Sequence, residues 1–109
     1  MIADDVRLGS GVVIHQPGLV NLYGCAIGDS TRVGAFVEIQ RGATIGRNCK
    51  IDEGAHIVDS VIWPGVTIDA DAKITGSIVG KGCMIGHSAV LNPGAVLGDK
   101  TVVTDFSIL

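Results

Sequence analysis

The sequence predicts an all-β solenoid of very short strands, and three observations carry that expectation. An aliphatic residue returns about every six positions from Leu8 to Val103, and a small residue stands two places before each from Ile14 onward. The composition pairs 16 Gly and 47% apolar residues with only 4% aromatics, so small and β-branched side chains must do the packing. A spacing of six does not keep residues on one side of a 3.6-residue helix, and Gly, Val and Ile are weak helix formers. On a strand, residues i and i−2 point the same way, so each hexad supplies a short strand with one large and one small side chain facing inward.

In chain order the aliphatic positions are Leu8, Ile14, Val20, Ile27, Val33, Ile39, Ile45, Ile51, Ile57, Ile62, Ile68, Ile74, Val79, Ile85, Leu91, Leu97 and Val103. The step is seven between Val20 and Ile27, and five between Ile57 and Ile62 and between Ile74 and Val79. The small inward set is Val12, Gly18, Cys25, Thr31, Val37, Ala43, Cys49, Ala55, Ser60, Val66, Ala72, Ser77, Cys83, Ala89, Ala95 and Thr101. Gly often follows the aliphatic, at Gly28, Gly34, Gly46, Gly80, Gly86 and Gly98, where it is expected to let the chain bend without a Cβ penalty.

This pattern resembles the hexapeptide repeat of left-handed parallel β-helices. The resemblance implies a single-stranded triangular prism with three hexads per coil, an exception to the usual right-handed crossover. The hexads make between five and six coils, a stack of about 25 Å at roughly 4.8 Å per coil. Every third hexad shares a face. The first face holds Ile27, Ile45, Ile62, Val79 and Leu97; the second holds Ile14, Val33, Ile51, Ile68, Ile85 and Val103; the third holds Val20, Ile39, Ile57, Ile74 and Leu91. No linker interrupts the count, and residues 1–109 are expected to form one domain.

The two halves of the chain carry different likenesses. From Ile14 to Ile51 the stretches Asn21-Leu22-Tyr23-Gly24-Cys25, Phe36-Val37-Glu38-Ile39-Gln40 and Ile45-Gly46-Arg47-Asn48-Cys49-Lys50-Ile51 resemble hexapeptide acyltransferases that N-acetylate sugars on nucleotide carriers. That likeness implies trimers that bind acyl-CoA, here expected to be acetyl-CoA, in grooves between neighbouring prisms and use a histidine as general base on the acceptor amine. The later stretches Ser60-Val61-Ile62-Trp63-Pro64-Gly65 and Gly76-Ser77-Ile78-Val79-Gly80 are similar to the C-terminal β-helix of sugar-phosphate nucleotidylyltransferases, an appendage for oligomerisation or regulation. No Gly-rich phosphate loop follows an N-terminal strand, so nucleotidyl transfer is not expected of these residues. Acetyl transfer to an amino or hydroxyl group of a sugar or sugar nucleotide is the leading expectation. The alternative is a non-catalytic assembly module, because the inserted loop and Asn-Asp pair of those acyltransferases are missing here.

His87, in Ile85-Gly86-His87, falls on the second face at the corner where the resemblance implies the base; an imidazole near its ordinary pKa takes a proton from an attacking amine or hydroxyl. His56 points outward on the third face beside Glu38 and Lys73 and is the second catalytic candidate. Arg32 and Lys50, outward on adjacent coils of the second face, are candidate contacts for a CoA phosphate. Ile85-Gly86-His87-Ser88-Ala89-Val90-Leu91 also resembles γ-class carbonic anhydrases, but position 92 is Asn where that zinc site needs a second histidine, so no metal is expected.

Cys25, Cys49 and Cys83 all fall in the small inward set, with Val66 between the last two, and are expected to be reduced core thiols. A net charge of −3 excludes the broad basic field that nucleic acid requires. No run of 18 apolar residues argues for a membrane span, and Asp4 and Asp5 stand where a secretory signal carries bases, so a cytoplasmic protein is expected. Finally, Ala26, Thr44, Val61, Ile78 and Val96, with Trp63 beside them, give the first face an uncharged outward strip. That strip is the expected interface of a homo-oligomer, with a trimer the leading expectation.

Overall fold

The computed structural model describes residues 1–15, 17–40 and 42–109. Its strands are two or three residues long and pair only in parallel, each with the strand one coil away. One sheet stacks β1 (Arg7–Leu8), β4 (Ala26–Ile27), β7 (Thr44–Ile45), β10 (Val61–Ile62), β13 (Ile78–Val79) and β16 (Val96–Leu97). A second stacks β2 (Val13–Ile14), β5 (Arg32–Val33), β8 (Lys50–Ile51), β11 (Thr67–Ile68), β14 (Met84–Ile85) and β17 (Val102–Val103). The third stacks β3 (Asn21–Leu22), β6 (Glu38–Gln40), β9 (His56–Val58), β12 (Lys73–Thr75) and β15 (Val90–Leu91). These are the three expected faces of a left-handed parallel β-helix, with a longest dimension of 31 Å.

Backbone hydrogen bonds run from coil to coil. Gly46 N–H, for example, donates to Ile62 C=O at 2.7 Å, and Asp52 N–H to Ile68 C=O at 2.8 Å. The aliphatic of each inner hexad is buried in the prism, as is the small residue before it. Where that small residue is polar, it satisfies the backbone of a corner. Thr31 Oγ1 donates to Gly46 C=O at 2.7 Å and accepts from Cys49 N–H at 3.2 Å, and Cys83 Sγ donates to Gly98 C=O at 3.0 Å. The end coils are open on one side, which leaves Leu8 and Ile14 at one end and Leu97 at the other only partly covered.

Two expectations are corrected. Leu22, not Val20, is the third-face aliphatic of its coil: Leu22 pairs with Ile39, and Val20 is also buried, two residues earlier in the small column. Gly18 therefore leaves the inward set and lies exposed in the 3-10 turn Pro17–Leu19. The slip is a step of eight from Ile14 to Leu22, then five to Ile27, so Leu22, Ile57 and Ile74 all precede five-residue steps at one corner.

The second correction concerns the glycines after the aliphatics, which do not supply the bend. Positive φ falls later in the corner, on the third residue after the aliphatic in six-residue steps, as at Asn48 (φ 55°), and on the second in five-residue steps, as at Asp59 (φ 51°). Gly46 instead lets the next coil close in, because a Cβ there would lie 2.6 Å from the backbone nitrogen of Pro64.

Candidate functional site

Alternation along each strand turns the residue before every aliphatic outward, and parallel in-register pairing stacks those residues into columns. On the second face the column reads Val13, Arg32, Lys50, Thr67, Met84, Val102. Arg32 sits directly opposite Lys50, and with Ser30 and Asn48 they line a groove of about 460 Å³. Lys50 Nζ lies 3.9 Å from Asp52 Oδ1; both groups are solvated, so the contact does little to neutralise the groove.

Farther along the same face lies a second groove of about 500 Å³. Its lining combines Met84 and Val102, exposed neighbours in the outward column, with the backbone at Ile85 and Val103, whose side chains are buried in the prism, and with Asp69, Thr104 and Asp105. His87 stands at the corner immediately after Ile85 and Gly86. Its backbone N–H donates to Asp105 Oδ1 at 2.8 Å, and its ring meets Phe106 edge to face with centroids 5.5 Å apart. An acid therefore does approach His87, but it binds the main chain rather than the imidazole. The same corner device recurs where Asp29 caps Ser10 N–H at 2.8 Å and Asp99 caps Lys81 N–H at 2.9 Å.

His56 stands apart, on the third face between Glu38 and Lys73, as its sequence position requires. Its Nδ1 is 3.3 Å from Glu38 Oε2, a carboxylate contact that orients the half-buried ring. The structure thus brings Arg32 and Lys50 together and continues their face to the groove beside His87, while His56 belongs to a different face.

The cysteines offer no nucleophile: all three are free and buried. Burial pushes the Cys25 thiol up to about 11, with the Asp5 carboxylate adding to the rise, and burial likewise raises Cys49. On the first face Val61, Ile78 and Val96 are exposed by 39%, 44% and 70%, and form the apolar half of the column. Trp63 stands at the corner position that Gly28, Gly46 and Gly80 occupy in other coils, with Lys81 Nζ 5.8 Å from its ring centroid. The uncharged strip does not run the full height, since β1 places Arg7 at its foot opposite Ala26. Nor is the first face alone in exposing apolar side chains, because Met84 and Val102 do so on the second.

Two features escaped the sequence reading. The Met84–Val102 groove was signalled by two apolar residues each preceding an inward aliphatic. The Phe106 contact with His87 joins neighbouring corners 19 residues apart, and becomes visible only once the coils are stacked.

Comparison with known proteins agrees with this geometry. The family model described as "EIF2B subunit epsilon LbH domain" matches residues 23–109. The chain is 32% identical over 106 residues to the bifunctional protein GlmU of Paraburkholderia phymatum, covering 96% of this chain and 23% of that protein. It is 28% identical over 98 residues to the GlmU of Methylococcus capsulatus, covering 88% and 21%. It therefore spans about a fifth of the length of these curated relatives. Among solved structures it is similar in fold to the acetyltransferase domain of PglB from Neisseria gonorrhoeae, with a TM-score of 0.83 at 17% identity over 90% of this chain and 48% of that one. A mutant perosamine N-acetyltransferase from Caulobacter crescentus, in complex with CoA and GDP-perosamine, gives 0.73 at 21% identity over 94% and 52%. Among the described residues no helix is long and apolar enough to cross a membrane. With its three parallel sheets and recurring hexads, the chain belongs to the hexapeptide-repeat family described as the EIF2B subunit epsilon LbH domain.

Proposed function

We propose that this chain transfers an acetyl group from acetyl-CoA to an amino or hydroxyl group of a sugar or sugar nucleotide, as a cytoplasmic homo-oligomer whose leading form is a trimer. One observation carries the reading: the second face runs in a straight column from the basic Arg32–Lys50 groove to the groove beside His87. From Lys50 to Val102 is three coils, about 14 Å at the strand spacing. In this reading Arg32 and Lys50 hold CoA phosphates, the pantetheine arm crosses Thr67, and the thioester reaches the second groove.

His87 then accepts the proton of the acceptor amine or hydroxyl as that atom attacks the thioester carbonyl. The new C–N or C–O bond forms, the C–S bond breaks, and the proton passes to the departing CoA sulfur. His56, oriented by Glu38, is the second candidate base, and its position on another face means it would serve a ligand bound to a neighbouring copy. The fold shared with a CoA-bound N-acetyltransferase supports this reading.

Equilibrium binding of CoA and acetyl-CoA tests it. Saturable micromolar binding that weakens about tenfold or more in Arg32→Ala or Lys50→Ala is the expected result. His87→Ala should keep that affinity and lower acetyl transfer by about 10². No binding up to millimolar CoA would overturn the reading. It would leave the second one, a non-catalytic assembly module, which the exposed Val61–Ile78–Val96 strip and Trp63 favour.

A further inference from the structure

We infer that the first face is a two-fold interface on which a second copy of this chain lies antiparallel, the C-terminal coils of each prism resting on the N-terminal coils of the other. The inference rests on the homo-oligomer reading above and specifies what covers the Val61–Ile78–Val96 strip. A three-fold ring sets that strip against a different face of its neighbour at equal height, and cross-linking separates the two arrangements.

Size is unevenly distributed along this face. Its outward column reads Arg7, Ala26, Thr44, Val61, Ile78, Val96, so beyond Arg7 the smaller residues hold the N-terminal half and the bulkier ones the C-terminal half. The corner position beside it is Gly in every coil except at Trp63. A two-fold axis along the strand direction, passing between β7 and β10, exchanges the halves. Val61 of each copy then meets Thr44 of the other, and Ile78 meets Ala26. The exposed Trp63 lies over Gly46, where no side chain opposes it. Bulk rests on small residues along the whole strip, and the apolar surface leaves water. At each end Arg7 covers Val96 with its aliphatic stem and keeps its charge in solvent.

Charge fixes this register. An axis along the strands brings the same corner of both copies together with the coil order reversed, so the exposed Asp29 faces the exposed Lys81, twice by symmetry. Arg47 comes to lie beside the Trp63 indole, a cation–π partner. Other registers are worse matched. Moving the axis onto β13 stacks Ile78 on Ile78 but sets Lys81 against Lys81, and moving it onto β10 sets Arg47 against Lys81. An axis between β10 and β13 leaves Asp29 facing no coil.

Introduced cysteines test the contact. Within one chain Ala26 and Ile78 stand three coils apart, about 14 Å, too far for a disulfide. The native cysteines are buried and do not compete. Mild oxidation of the double variant Ala26→Cys, Ile78→Cys should give a covalent dimer on a non-reducing gel, while neither single variant cross-links at the same concentration. Lys81→Glu, which sets two acids together, should weaken assembly about tenfold or more on dilution, and high salt should reduce that loss.

Cross-linking by Ile78→Cys alone would put the axis on β13, and cross-linking by Ala26→Cys alone would put the copies at equal height; either result overturns the proposed contact. If the protein is an oligomer in light scattering and the double variant does not cross-link, the antiparallel contact is wrong and the homo-oligomer reading stands. A monomeric parent protein would end both.

Discussion

A thiol at the small position of a hexad is pressed against the core on every side, and Cys25 shows the chemical consequence. Its pKa of about 11 stands above the ordinary 9.0, chiefly because burial disfavours the thiolate, with Asp5 acting in the same direction. A folded-state value above the unfolded one means that this thiol's contribution is fully present below pH 9.0 and is lost as the pH rises through 11. Stability should therefore fall between those pH values, by on the order of 2 kcal/mol from this group, and Cys25→Ala should flatten the slope of a denaturant titration across that window. At neutral pH the native protein should resist thiol reagents at Cys25, Cys49 and Cys83. Rapid labelling without denaturant would contradict the inward placement of the labelled cysteine.

At the scale of the strand and its corner, the hexad does two jobs that look alike in the sequence. The glycine after the aliphatic permits close stacking of coils, whereas the residue two or three places after the aliphatic takes the left-handed backbone conformation that turns the corner. The distinction predicts opposite outcomes for one substitution at two places. Gly46→Ala would set a Cβ 2.6 Å from the Pro64 nitrogen, a rigid backbone atom, and should cost about 1–3 kcal/mol of unfolding free energy. In the last described coil a Cβ on Gly98 would meet nothing within 4 Å. Gly98→Ala should therefore be neutral or stabilise by about 0.5 kcal/mol, through the loss of unfolded-chain freedom. Equal effects in thermal or chemical denaturation would show that coil contact is not what the glycine serves.

For the molecule as a whole, a three-sided prism buries only the inner face of each sheet, so three outer faces must be solvated or covered. The third face carries Glu38, His56 and Lys73, and the second carries Arg32 and Lys50, so both have charged groups to hydrate. On the first face, Val61, Ile78 and Val96 stack in register with no charge among them. In the proposed oligomer that strip is the covered surface, and Ile78→Lys should convert the assembly to monomer in light scattering at micromolar concentration, whereas Lys73→Glu should leave it intact. A monomeric parent protein, or an Ile78→Lys protein that remains assembled, would rule out this interface.

The amino-acid sequence by itself determined the coil. Hexad spacing dictates three faces, and strand alternation dictates which side chains point inward, so the cysteine column, the Arg32–Lys50 pair and the Glu38–His56–Lys73 neighbourhood follow from counting along the chain. Local patterning is sufficient there because each of these contacts repeats one coil apart. Tertiary structure decided what depends on how one coil meets the next. Leu22 displaced Val20 because both are aliphatic and only the pairing with Ile39 distinguishes them. The glycine column answers to the backbone of the coil above it, which no single hexad contains. Asp105 spends its carboxylate on the His87 amide, and Phe106 packs against that ring, because two corners 18 and 19 residues apart are stacked.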